Sequence, residues 1–153
     1  SQALFDKVKI DQLYFLATGG GVTFGGGEPL LYPTFLKEFR EICGQAWHLC
    51  AETSLNVPWE NVSAAADCID YFYIDCKDTD PDIYHRYTSQ DNARMLSNLR
   101  RLLEIAGPER ITVRIPLIPE FNTKEDQIRS QKLLQSMGVV NFDLFTYKTD
   151  ILR

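Results

Sequence analysis

Between residues 17 and 35 the sequence reads ATGGGVTFGGGEPLLYPTF, with six glycines in nine residues, at 19–21 and 25–27. A bare turn needs one or two. Two triplets around Val22-Thr23-Phe24 predict a strand whose C-terminal end opens onto something held against the main chain, because a residue without a β-carbon lets a ligand approach the backbone. The loop is no phosphate cradle: the dinucleotide fingerprint spacing fails, and no Lys-Ser/Thr follows as in a P-loop. Glu28 would repel phosphate but accept hydrogen bonds from an ammonium group. The chemistry this loop suits is capture of a cationic amine.

Other polar residues share that address. Glu52, Thr53 and Ser54 end a second strand-like run, Asp75 and Lys77 end a third, Arg114 lies within a fourth, and Tyr147 and Lys148 end a fifth. In parallel α/β folds the active face lies at the C-terminal ends of the strands. Strand alternation puts Tyr73, Asp75 and Lys77 on one face and Thr112 with Arg114 on one face, while Phe72, Ile74, Val113 and Ile115 point oppositely. Taken singly, each has an ordinary reading. Asp75 and Lys77 form a strand-end ion pair, Arg114 neutralises a carboxylate, and Glu52 is a solvated turn residue. Their convergence favours a site. His48 reads as packing, His85 as a surface helix residue, and Asp67 and Asp70 as loop or helix-end groups.

The elements that must position these residues alternate. Strand-like runs begin near Val22, His48, Tyr71, Ile111 and Phe142. Between them, PTFLKEFREIC has apolar positions at the helical period with Pro33 in its first turn. Asp91 caps NARMLSNLRRLLEIA before Gly107-Pro108 stops it, and Asn122 or Thr123 begins KEDQIRSQKLLQSM before Gly138. Shorter helices are predicted near 57–66 and 81–88, and the opening QALFDKVKI is helical in pattern. Alternation of this kind predicts an α/β fold with a parallel sheet and right-handed crossovers. A closed eight-stranded barrel needs about 250 residues, so five strands mean a small open sheet or part of a barrel.

Bulk properties narrow the classes. The 153 residues, read as a single domain over 1–153, are 44% hydrophobic and 24% charged with a formal charge of −5. That balance argues against nucleic-acid or membrane-surface partners, and no apolar run approaches the ~20 residues of a membrane span. A cytoplasmic location is expected. Cys43, Cys50, Cys68 and Cys76 are too widely spaced for a metal pair and read as small buried hydrophobes.

GGGVTFGGGEPL closely resembles the GGGVT…GGE segment of the activating enzymes of glycyl radical enzymes, the pyruvate formate-lyase activating enzyme group of the radical SAM superfamily. AETS resembles that family's DTNG strand end, with Glu52 in place of Asp and Ser54 in place of Asn. YIDCK is similar to LDLK, and VRIPLIPEFN to an Arg-containing strand followed by a proline turn. The residue before Gly26, usually Ser in this group, is Gly25. The resemblance runs in order over essentially the whole chain, and it implies a partial (β/α) barrel of about five parallel strands with flanking helices.

It also implies a site. Gly26, Gly27 and Glu28 would bind the amino group of S-adenosylmethionine, and Glu52, Thr53, Asp75, Lys77, Arg114 and Lys148 would complete the cofactor site. A monovalent cation is implied near Glu52 and Asp75. The family's CxxxCxxC motif, which holds a 4Fe–4S cluster, is absent from these residues. The chain is therefore expected to be a C-terminal piece, inactive by itself, of an enzyme that cleaves S-adenosylmethionine reductively and abstracts hydrogen from a glycine of a partner such as pyruvate formate-lyase. An electron donor such as flavodoxin or ferredoxin is implied. The alternatives are an activator of a glycyl radical dehydratase, decarboxylase or C–N lyase, and, from another class, a non-catalytic amine- or nucleotide-binding α/β domain.

Overall fold

The structure, a computed structural model, describes residues 1–147. Five strands, β1 (Gly21–Phe24), β2 (His48–Thr53), β3 (Tyr71–Asp75), β4 (Ile111–Leu117) and β5 (Asn141–Thr146), form one sheet in sequence order, every neighbouring pair parallel. All their C-terminal ends therefore lie along one rim. The helices are α1 (Gln2–Val8), α2 (Gln12–Thr18), α3 (Pro33–Cys43), α4 (Trp59–Ala66), α5 (Pro81–Thr88), α6 (Ala93–Ala106) and α7 (Lys124–Ser136). This is the expected α/β architecture.

The two faces of the sheet differ. Leu49, Ala51, Phe72, Ile74, Val113 and Ile115 are fully buried against the helices. The alternate residues Cys50, Glu52, Tyr71, Tyr73, Asp75, Thr112 and Arg114 are only half-buried. The polar residues thus share the face the helices leave uncovered.

Helix ends follow local chemistry. Thr123 and Asp126 form a reciprocal capping box on α7, and the Asp91 carboxylate accepts from the Ala93 N–H at the start of α6. One element departs from expectation. The helical opening continues past Val8 through a short 3-10 turn into α2, which leaves Ile10 84% and Leu13 83% exposed. Only Phe15 of α2 packs inward, edge-on against Trp47 at 5.0 Å. An apolar run with no polar face carries no helical period, so the pattern did not mark it.

The opposite rim is locked by a buried arginine. Arg40 donates to the carbonyls of Cys68, Gly44 and Trp47, each at 2.9 Å, and to the Asp70 carboxylate. Asp70 also accepts the Leu49 N–H at 2.7 Å, and its carbonyl accepts from Arg110 at 3.0 Å. Asp70, read from sequence as a loop residue, is a structural anchor. At the sheet's near edge β1 pairs, among the described residues, only with β2. Gly21 has no room for a side chain there, since a β-carbon would come within 2.0 Å of the His48 carbonyl oxygen.

Candidate functional site

The glycine loop leaves β1 with Gly26 at φ +83°, a left-handed conformation suited to glycine. Glu28 then caps the short turn Pro29–Leu31. Its carboxylate is fully engaged. One oxygen accepts from the Thr53 hydroxyl at 2.6 Å and the Leu30 N–H at 3.2 Å; the other accepts from the Ser54 N–H at 2.9 Å and hydroxyl at 2.7 Å. Glu28 was expected to offer this carboxylate to an ammonium group. Instead it ties the glycine loop to the end of β2.

Thr53 has a matching role. It sits on the helix side of β2 at 2% exposure, donates to Glu28 and accepts from the Leu55 N–H at 2.9 Å. Leu55 is buried at φ +56°, an unusual conformation for leucine. Asn98 of α6 holds that turn by donating to the carbonyls of Leu55 and Val57 at 2.8 Å each. Asn98, a polar residue within an apolar helix face, carries no signal of this role in the sequence.

On the uncovered face, register places Asp75 beside Arg114. The Arg114 Nε donates to Asp75 at 2.7 Å, and its two terminal nitrogens reach the two oxygens of Glu52 at 3.2 Å each. Burial works against the guanidinium's charge, but the hydrogen bonds to Asp75 and Glu52 outweigh it and hold its pKa above the ordinary value. Lys77 lies 3.7 Å from Asp75 and donates to the Tyr147 hydroxyl at 2.8 Å, joining the ends of β3 and β5. Its burial likewise opposes the charge, yet Tyr147 and the Asp75 charge raise its pKa.

Gly26, Gly27, Glu28, Glu52, Thr53, Ser54, Asp75 and Lys77 line one cleft of about 370 Å³. Arg114 stands behind the two carboxylates rather than on the lining. Lys148 falls outside the described residues. A β-carbon on Gly27 would meet nothing within 4 Å, so the loop faces open space. Two larger hollows, of about 430 and 630 Å³, take in none of Glu52, Asp75 and Lys77.

The thiols do not belong to this cleft's chemistry. Cys43 ends α3, Cys50 lies on the open face of β2, Cys68 follows α4 and Cys76 follows β3. Burial pushes the Cys68 thiol up to about 11 and Cys76 to about 12. Among the described residues no three His, Cys, Asp or Glu side chains are grouped to hold a metal ion. None of the described helices is long and apolar enough to cross a membrane.

Comparison with known proteins gives this geometry a context. The Radical SAM superfamily model matches residues 7–130. The chain is 42% identical over 110 residues to an indoleacetate decarboxylase activating enzyme of Tractidigestivibacter scatoligenes, covering 71% of this chain and 35% of that protein. It is 36% identical over 126 residues to a (2S)-3-sulfopropanediol dehydratase activating enzyme of Klebsiella oxytoca, covering 82% and 39%. The chain thus spans well under half the length of both. Among solved structures, a domain of pyruvate-formate lyase-activating enzyme from Bacteroides vulgatus superposes with a TM-score of 0.57 at 23% identity, over 82% of this chain and 98% of that one. That last likeness is one of fold.

Proposed function

The chain belongs to the radical SAM superfamily, and from that premise we propose that it is the S-adenosylmethionine-holding part of an enzyme that activates a glycyl radical enzyme. The observation that carries this reading is the meeting of the Gly26-Gly27-Glu28 loop, the Glu52–Arg114–Asp75 row and Lys77 around one cleft. The donor set fits the amino-acid end of S-adenosylmethionine. With the Glu28 carboxylate occupied, main-chain carbonyls at Gly26 and Gly27 take the ammonium group, and Lys77, on the lining, supplies the positive charge for the carboxylate, while Arg114 acts from behind by holding Glu52 and Asp75. Thr53 and Ser54 act through Glu28, holding the loop still. Lys148, by the resemblance alone, would join the residues that hold the cofactor.

When bound, S-adenosylmethionine and a reduced 4Fe–4S cluster supply the one-electron chemistry that removes hydrogen from a glycine of the partner. The four cysteines described above do not fit that cluster, so its ligands come from outside these 153 residues. What this chain contributes is binding, orientation and a wall that excludes water once the partner's glycine loop covers the cleft. The setting is cytoplasmic, with flavodoxin or ferredoxin as the electron donor.

The two relatives' names, activators of a decarboxylase and a dehydratase, favour a partner of that kind. Pyruvate formate-lyase is the second reading, supported by the resemblance of GGGVTFGGGEPL to the segment of its activating-enzyme group. The test is anaerobic expression of the full-length gene with each candidate partner, reading the glycyl radical by electron paramagnetic resonance. A signal in one partner identifies it. No signal in any, with a loaded cluster and S-adenosylmethionine present, overturns the reading.

A further inference from the structure

The geometry points to Arg114 as a built-in cation for the Glu52–Asp75 carboxylate pair, so that this site takes up no alkali-metal ion. The monovalent ion that the family resemblance implies near these two residues needs carboxylate oxygens turned toward a common point. Here three of the four oxygens already accept N–H donors. Asp75 receives the Arg114 Nε at 2.7 Å, and Glu52 receives both terminal nitrogens at 3.2 Å. Lys77 stands 3.7 Å from the other Asp75 oxygen. Two carboxylates facing one guanidinium and one ammonium leave no net negative charge to draw in an ion, and a planar guanidinium is the group whose fork matches a carboxylate with two parallel bonds.

Side-chain length makes the arrangement reachable. Glu52 is on β2 and Arg114 on β4, with β3 between them, so the contact spans two strand spacings, about 9–10 Å. Glutamate carries one more methylene than aspartate, and that length closes the gap. Room for it comes from the glycine loop. A β-carbon at Gly25 would sit 3.2 Å from the Glu52 Oε2, tighter than ordinary contact. Two of the places where this sequence departs from the resemblance, Gly25 for Ser and Glu52 for Asp, are therefore neighbours in space. The smaller residue at 25 accommodates the longer one at 52, and the longer one reaches the arginine.

This inference rests on the proposed reading for the ion's relevance, but its test contains no S-adenosylmethionine and so fails or succeeds separately. The chain is titrated with sodium while the sodium-23 line width is followed. Its melting midpoint is also compared in potassium chloride and in N-methyl-D-glucamine chloride at equal ionic strength. The wild-type chain should leave the line narrow and melt at the same temperature in both salts. Arg114→Gln, and separately the pair Gly25→Ser with Glu52→Asp, should gain ion binding. At an ion concentration roughly fivefold above the dissociation constant, the midpoint should then rise about 2–4 °C in potassium. A wild-type sodium line that broadens and is restored by potassium overturns the inference. So does the absence of any gain in both variants, since the guanidinium would then not be what excludes the ion. If Arg114→Gln does not fold, the paired variant and the wild-type line width still decide.

Discussion

Ser54 meets one oxygen of the Glu28 carboxylate twice, with its backbone N–H at 2.9 Å and its hydroxyl at 2.7 Å. With Thr53 and Leu30 on the other oxygen, the carboxylate has about as many donors as its lone pairs accept. The end of β2 and the glycine loop are one mechanical unit, and Glu28 is the joint.

Replacing Glu28 by glutamine tests that joint. An amide presents an N–H₂ where two donors now point, so one side of the group becomes repulsive. Glu28→Gln should lower unfolding stability by about 1–3 kcal/mol, the cost of leaving buried donors unpaired. Urea denaturation with an unchanged slope and a lower midpoint would show it. An unchanged midpoint would mean the loop is held by something else.

At the opposite rim, Arg40→Met keeps the apolar stem and removes the donors. Three carbonyls, of Cys68, Gly44 and Trp47, and the Asp70 carboxylate lose their partner. Breaking a buried pair from one side costs about 3–5 kcal/mol, and the partial exposure of Asp70 places this case near 3 kcal/mol. Calorimetry should also find the loss insensitive to salt, because the guanidinium is buried. A salt-dependent loss well under 1 kcal/mol would contradict the anchoring role.

Lys77 gives a pH dependence with a definite sign. Folding favours its ammonium form, since its pKa lies above the ordinary 10.5 in the folded chain. Its contribution is complete below the unfolded value and is lost as pH rises through the folded one. The stability difference between wild type and Lys77→Met should therefore be flat from neutral pH to about 10 and should shrink above that. A difference that stays constant well above pH ~10 would show that the Lys77 charge is not what links Asp75 to Tyr147.

Much of this was legible in the sequence because it is local. The helical period of Leu99 and Leu103 announced α6, alternation in Tyr71–Asp75 gave the faces of β3, and the strand ends predicted which polar residues would meet. Long-range partnership was not legible. Arg40 reads as a solvated residue on an amphipathic helix until its separation of 28–30 residues from Cys68 and Asp70 is closed by folding. Asn98 is hidden the same way, serving a turn more than 40 residues earlier. Thr53 borders the cleft from the end of its strand, but alternation turns its side chain to the helix side, where it works through Glu28. Such partners are set by register and packing, which no periodicity records.

The open face of the sheet carries a further consequence. Glu52, Asp75, Arg114 and Lys77 keep side-chain exposures of 38%, 26%, 21% and 19%, so their charges are bathed by water while nothing covers them. Two unit charges 4 Å apart interact by about 1 kcal/mol in bulk water but about 4 kcal/mol at an effective dielectric constant of roughly 20. Whatever closes over the wall raises the strength of every charge–charge contact there without moving an atom of it. The cleft is weakly attractive while wet and strongly so once dried, and the agent that dries it sets the moment of its grip.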